Sequence, residues 1–272
     1  MSRSCTRFDP LSRAPLSFLA TALEIGHNAG MATTIPTGSV SRTARDRARR
    51  ELTEEIKAVA RRHLAEQGSA LSLRAVAREV GMVSSAVYRY FPSRDDLLTA
   101  LIVDAYDAVG ECAEAAEHAA RDRGFVARWL NVGEAVRAWA LANVHEYALI
   151  YGSPVPGYAA PEATIGPASR VPLVLLRLLA AGAASGEIEP GSTPAMSRTL
   201  RSDFAQLRRT AAPAVPDAVL SRGLAVWSQL LGTINLEMFG HLHNVVHDYH
   251  AFFTLQMRSA CEFLVQGAPP RV

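Results

Sequence analysis

Hydrophobic positions recur at helical spacing along most of the chain from residue 43 onward, and no segment alternates strictly as a half-buried strand would. The pattern predicts an all-α protein. Leu52, Ile56, Val59, Ala60, His63 and Leu64 stripe one face of a first helix over residues 43–67, which Gly68 ends. Leu73, Val76, Ala77 and Val80 follow at i, i+3, i+4 and i+7 behind Ser72, whose hydroxyl can accept from an unpaired N–H of the first turn. Gly81 then stands where the chain must leave that helix in a left-handed conformation, which glycine adopts without a Cβ penalty. A short helix over residues 84–90 comes next. Val87 and Phe91, four apart, pack inward, and Ser84, Ser85, Tyr88 and Arg89 face out. This is a helix-turn-helix over about residues 72–91, with a second helix sized to enter a DNA major groove.

Pro92 and Ser93 separate that unit from a long helix with Asp95 and Asp96 in its first turn, where carboxylates favour the helix dipole. Leu97, Leu98, Leu101, Ile102, Ala105 and Val109 give it a wide apolar face. Further helices are predicted over residues 125–151, 171–184 (ended by Gly186), 195–211, 219–242 and 246–265. Residues 152–167, with four Pro and three Gly, read as a loop. The expected division is a disordered tail over 1–41, a three-helix DNA-binding head over 42–109, a larger helical domain over 110–266 and a short tail over 267–272. Met31 precedes another polar stretch and is an alternative start of translation.

Charge sharpens this picture. The formal net charge is only +2, but residues 41–94 hold twelve Lys or Arg against six Asp or Glu, whereas residues 95–272 hold thirteen against eighteen. The basic segment is the one with the helix-turn-helix, which suits a polyanionic partner. Arg42, Arg45, Arg47, Arg49 and Arg50 crowd the start of the first helix, against its dipole, so a nearby phosphate backbone explains them better than helix energetics does; a solvated surface run is the plain alternative. Cys5, Cys112 and Cys261 are odd in number and form no CxxC, which favours a reducing cytoplasm over a disulfide framework or zinc site. No apolar run looks long enough to span a bilayer. The apolar stretch 16–23 is broken by Ser17 and Thr21 and runs into Glu24, so it is not read as a signal peptide.

The capped short helix, the Gly, and the hydroxyl-rich helix ending in Tyr88-Arg89-Tyr90-Phe91-Pro92-Ser93-Arg94 before Leu97-Leu98 resemble the TetR family of bacterial regulators over residues 42–109. Val83 replaces a frequent hydroxyl residue of that family, which moves the expected helix cap to Ser84, and Ser85 replaces a frequent Gly. Trp227 through Gly232 and on to His241 resembles the C-terminal module of a TetR subgroup named for a Trp-His-Gly signature, although Leu231 stands where the His belongs. The resemblance implies a homodimeric regulator that holds a palindromic double-stranded DNA operator until a small-molecule effector releases it. It implies no cofactor and no catalytic residue.

On that reading Ser84, Ser85, Tyr88 and Arg89 address base edges and phosphates, while Ser72, Arg74, Tyr90 and Arg94 grip the backbone. Tyr88 and Tyr90 are equally candidates for core aromatics. Trp129, Trp139, Asn143, Tyr147, Tyr151 and Trp227 have the composition of an effector pocket, with Trp139, Asn143, Tyr147 and Trp227 the chosen effector residues, although aromatics at helical spacing also make plain core. Leu224, Leu231, Met238, Phe253 and Met257 would seam two copies together or fill an intramolecular core. His243, His247 and His250, at i, i+4 and i+7 with His241 beside them, raise metal binding against a simple surface cluster. The expected function is a DNA-binding repressor; an activator, an effector-blind regulator or a metal-dependent sensor or enzyme are the alternatives.

Overall fold

The computed structural model describes residues 40–67 and 71–266, with side chains from residue 43. The expected tails over 1–39 and 267–272, the alternative start at Met31 and the stop at Gly68 lie outside the described residues, as does the side chain of Arg42. Among the described residues there are ten α-helices, one 3-10 turn and no strand. The helices are α1 (Val40–Gln67), α2 (Leu73–Glu79), α3 (Ser84–Val87), α4 (Arg94–Ala119), α5 (Phe125–Ala142) and α6 (Val144–Tyr151), then α7 (Ile165–Ser185), α8 (Arg198–Ala211), α9 (Asp217–Met238) and α10 (Tyr249–Gln266).

Helices α1 to α3 and the first half of α4 enclose one core, in which Ile56, Val59, Val76, Ala77, Val87, Phe91, Leu97 and Leu101 are buried. The local signals behave as their chemistry dictates. Ser72 Oγ accepts from the Ala75 N–H at 3.4 Å, Gly81 takes φ +76°, and Ser93 Oγ accepts from the Asp96 N–H at 3.1 Å while donating to the Asp96 carboxylate at 2.6 Å. The expected cap at Ser84 is corrected. Val83 is the extended capping residue, its carbonyl accepts from the Ala86 N–H at 2.8 Å, and Ser84 is already inside the helix with no capping role. The helix is also shorter than expected: α-geometry stops at Val87, and tight turns carry the chain through Tyr90 to Phe91.

The second core lies among α4, α5, α7, α9 and α10, around Phe125, Trp129, Tyr147, Leu178, Leu220, Leu230 and Phe253, all essentially inaccessible. Here three expectations change. The single helix over 125–151 is two, because Asn143 leaves helical geometry (φ −130°, ψ 54°) and its side-chain amide joins its own backbone N–H in donating to the Trp139 carbonyl. The helix expected from residue 171 begins at Ile165. Pro167 sits in the first turn, where its missing N–H costs nothing, and Pro172 is tolerated inside. The last turns expected to 242 belong to a reversal in which Gly240 (φ +74°) and Asn244 (φ +62°) are both left-handed.

The expectation that no run could span a bilayer is corrected too: Glu162–Ser185 is long and apolar enough by length and composition, with a mean hydropathy of 1.3. In the fold its apolar side, including Val171, Val174, Leu178 and Leu179, is packed into the second core.

Helix α4 is shared. Leu97 and Leu101 face the first core, and Ala105, Val109 and Ala113 face the second. Gly110 lets α7 come close, since a Cβ there would stand 2.7 Å from Arg170 Cβ. The Arg170 guanidinium then clamps Glu114 at 2.7 Å and Asp107 at 2.8 Å. A nearly buried pair, Arg137 with Glu237 at 2.7 Å, joins α5 to α9. Arg222 holds no carboxylate among the described residues. It donates to the carbonyls of Leu264 at 2.6 Å, Pro190 at 3.1 Å and Glu189, tying the end of α10 to the connector after α7.

Candidate nucleic-acid interface and ligand cleft

Each side chain expected to meet DNA can be placed. Ser84, Ser85, Tyr88 and Arg89 are exposed together on α3 and its closing turn, over the buried seam of Val87 and Phe91. Ser72 and Arg74 are exposed at the start of α2. Arg94 is part-exposed and lies 3.4 Å from the Asp95 carboxylate. Of the two tyrosines weighed as core, Tyr88 faces outward at 43% exposure, whereas Tyr90 is half-buried against the first core. Sequence reading missed two features. Val83, next to Ser84 in the chain, is an apolar side chain 71% exposed. Arg49 on α1 donates to the Arg89 carbonyl at 3.2 Å and stacks its guanidinium over the Tyr90 ring at 5.2 Å. Forty residues separate the partners, so no local pattern could reveal the contact. Around Arg49, Arg45, Arg47 and Arg50 are exposed.

The four expected effector residues do not share one pocket. Trp139 and Tyr147 are core side chains, at 8% and 0% exposure, and the Asn143 amide is committed to the Trp139 carbonyl. Trp227 lines a groove between α7 and α9. What unites part of the set is Tyr151, whose ring meets Tyr147 at 5.2 Å, Tyr106 at 5.9 Å and Trp227 at 6.3 Å. Tyr151 also lines a cleft of about 1050 Å³ between the end of α6, residues 152–156 and the end of α9, with Pro154, Asn235, Leu236, Phe239 and His241. Inside this region the Tyr147 hydroxyl and Asn235 Oδ1 are buried with no hydrogen-bond partner among the described residues. Burial pushes the Tyr147 and Tyr151 hydroxyls well above the ordinary phenol range, so both are neutral donors.

Helix α6 ties this region to the head. Leu149 packs on the first core, and Glu146 lies 3.7 Å from Arg61 of α1. Arg61 and Lys57 in turn hold Asp104 of α4, at 2.6 Å and 2.8 Å. Thr99 of α4 hydrogen-bonds the Tyr158 hydroxyl at 2.9 Å.

Of the expected dimer residues, Leu224 is 36% exposed and Leu231 and Met238 are half-buried. Phe253 and Met257 are corrected: both are 1% exposed inside the second core, because α10 turns that stripe toward α5 and α9. The histidine arrangement is corrected as well. Helix α10 starts only at Tyr249, so His241, His243 and His247 lie on turns before it and share no helical face with His250. Among the described residues no group of three or more His, Cys, Asp or Glu is placed to hold a metal.

Comparison with known proteins speaks to both halves. The family model for bacterial regulatory proteins of the tetR family matches residues 56–101, and one described as a tetracyclin repressor-like C-terminal domain matches residues 129–260. The Trp-His-Gly-type module is not what the second match names. The HTH-type transcriptional regulators Rv1816 of Mycobacterium tuberculosis (strain H37Rv) and Mb1846 of Mycobacterium bovis are each 42% identical over 209 residues, covering 73% of this chain and 87% of theirs. The crystal structure of SCO4313 superposes with a TM-score of 0.64 at 32% identity, covering 79% of this chain and 97% of that one. A protein from Rhodococcus sp. RHA1 shares the fold at a TM-score of 0.60 and 23% identity, over 79% of this chain and 96% of its own. With an exposed recognition face, a basic head and these relatives, the chain belongs to the TetR family and is a DNA-binding transcriptional regulator.

Proposed function

We propose that the protein is a homodimeric, cytoplasmic repressor that holds a palindromic operator and is released by a small molecule in the Tyr151 cleft. The observation that carries the reading is the outward cluster of Ser84, Ser85, Tyr88 and Arg89, set on a buried seam within the most basic part of the chain. Arg89 suits a guanine edge, the serines and Tyr88 add donors and acceptors, and the exposed Val83 suits a thymine methyl. Ser72, Arg74 and Arg94 flank that cluster as phosphate contacts, and two-fold symmetry would set two heads in successive major grooves. Leu224, Leu231 and Met238 of α9, with exposed Leu255 and Phe263 of α10, supply apolar surface for a second copy.

For the effector, the cleft offers aromatic and apolar walls with two unsatisfied polar atoms close by, a composition that favours a largely apolar ligand with a hydrogen-bonding group. Helix α6 borders the cleft through Tyr151 and reaches the head through Glu146 and Leu149, so occupancy on one side bears on the head's tilt on the other. A hundredfold release needs about 2.7 kcal/mol of differential affinity between the two forms.

Selection from random duplex DNA, followed by a salt titration on the winner, tests the reading. A palindromic consensus with steep salt dependence is expected. Tyr88→Ala and Arg89→Ala should each lose about 1–3 kcal/mol on it with helical content intact; unchanged affinity in both would remove the recognition face.

A further inference from the structure

Helix α1 is longer than the core it serves. Its first buried side chain is Ile56, and every residue from 43 to 51 is exposed. That stretch is about 13 Å of helix at 1.5 Å per residue, and none of it enters either core. The side of α1 that faces the head changes character along its length. Ile56 and Ala60 are buried on that side, and counting back by helical steps it passes Leu52 and Thr53 to reach Arg49 and then Arg45. Where the core ends, the apolar stripe becomes arginine.

Contacts along α1 fix where the extension points. Arg61 meets Asp104 at 2.6 Å and Glu146 at 3.7 Å, on the side of the body. Roughly three turns earlier, Arg49 donates to the Arg89 carbonyl at 3.2 Å and covers the Tyr90 ring, both at the turn that closes α3. Residues 43–48 therefore continue past the recognition turn, away from the body. Arg45 stands about 6 Å beyond Arg49 along the axis, and Arg47 and Arg50, three apart, share a flank. Among the described residues Arg45, Arg47 and Arg50 hold no carboxylate, although Asp46 and Glu51 are their chain neighbours. Arg45 and Arg49 repel each other at i, i+4, and all four arginines oppose the helix dipole, so the helix gains nothing from them unless an anion comes near. A merely solvated run would account for the exposure, but not for arginine taking over the side that faces the head.

We propose that this extension of α1 is a second DNA-contacting element: Arg45, Arg47 and Arg50 grip phosphates of the duplex that flanks the base pairs read by α3, so each head covers more DNA than its recognition helix spans. Guanidinium forks match phosphate oxygens, and a backbone contact of this kind adds affinity without base preference. It rests on α3 reading duplex DNA as proposed above, and requires neither a palindrome, a second copy nor an effector. Arg49 has a different task, since its guanidinium is already engaged at the recognition turn.

The test takes the full-length protein and the duplex won by selection, once with about 10 bp, one helical turn, of added flank on each side and once trimmed to the consensus. The wild type should bind the long duplex about tenfold more tightly than the trimmed one, and with a steeper salt dependence. The triple variant R45Q/R47Q/R50Q keeps Arg49 and, through Gln, the helix propensity. It should bind both duplexes as the wild type binds the trimmed one. Its salt slope on the long duplex should fall by about one for each arginine that reached a phosphate. Exchanging A·T for G·C pairs in the flanks should leave wild-type affinity unchanged. The variant's affinity for the trimmed duplex, together with its helical content, reports whether the head is intact. A wild type indifferent to flank length, a variant that loses as much on the trimmed duplex as on the long one, or a flank effect that follows base sequence would each overturn the proposal. A selection that enriches no duplex would instead remove the reading of the head itself, and the second contact with it.

Discussion

Arg49 shows how much a single side chain can add to a recognition element as short as α3. Regular α-geometry there ends at Val87, and Tyr88, Arg89 and Tyr90 lie on tight turns closed by the Arg89, Tyr90 and Phe91 N–H groups, with little regular helix to hold them. Arg49 braces these turns, through the Arg89 carbonyl and the Tyr90 ring. Replacing it with Met keeps the stem and removes both contacts. Specific operator affinity should fall by about 1–2 kcal/mol through loosening of the turn, from one charged hydrogen bond and one exposed cation–π contact. A mobility-shift titration reads this, and Arg49→Lys, which keeps the charge but not the fork, should recover only part. At this scale the sequence was readable wherever chemistry is local. Ser72, Gly81 and Ser93 do what their side chains dictate. Ser84 does not, because the extended Val83 took the capping position, and Arg49 could not be found because its partners lie forty residues away.

Helix existence was readable from periodicity, and helix ends were readable only where a strong stop intervened. Gly186, left-handed at φ +76°, ends α7 as expected. Asn143 broke α5 from α6 without any Gly or Pro to announce it, and the prolines of 152–167 hid that α7 starts at Ile165. Contacts between helices were outside reach of the pattern, and two of them set stability. Arg222 closes the carbonyl end of α10; Arg222→Met should leave those carbonyls unpaired, cost about 2–3 kcal/mol and lower the thermal midpoint by roughly 5–10 °C in a calorimetric scan. The Arg137–Glu237 pair between α5 and α9 should behave asymmetrically. Arg137→Met alone strands a buried carboxylate and should cost about 3–5 kcal/mol, whereas adding Glu237→Leu should return most of that loss. Urea unfolding of the two variants decides it; a double variant as weak as the single would mean the pair itself holds the helices together.

The molecule as a whole is two cores on one continuous rod, and the cleft is where sequence reading had least purchase. Its walls come from residues 148–156 and 232–241, so no single stretch displays it; of the residues weighed for a pocket Tyr151 lines it, and the four chosen for the effector do not. Because α4 supplies Leu101 to one core and Ala105 to the other, and Arg61, Glu146 and Asp104 cross-link the two, head and body should unfold together. All three Trp residues lie in the body, so the midpoint of Trp fluorescence in denaturant reports on that half. Hydrogen exchange of the α2 amides reports on the head. Coincident transitions are expected, and a head that melts first would show that the rod does not couple them.

The shared helix also limits how such regulators can trade parts. Between Leu101 and Ala105 there is one turn of α4 and no linker, so the head's specificity cannot be cut from this chain as a free module. A recombinant that keeps this body but borrows another regulator's recognition face would have to graft the outward positions of α2 and α3 alone, leaving the seam, Arg49 and the whole of α4 native. Joined anywhere within α4, two halves of different parentage would meet at a helix whose opposite ends were each shaped for a different core.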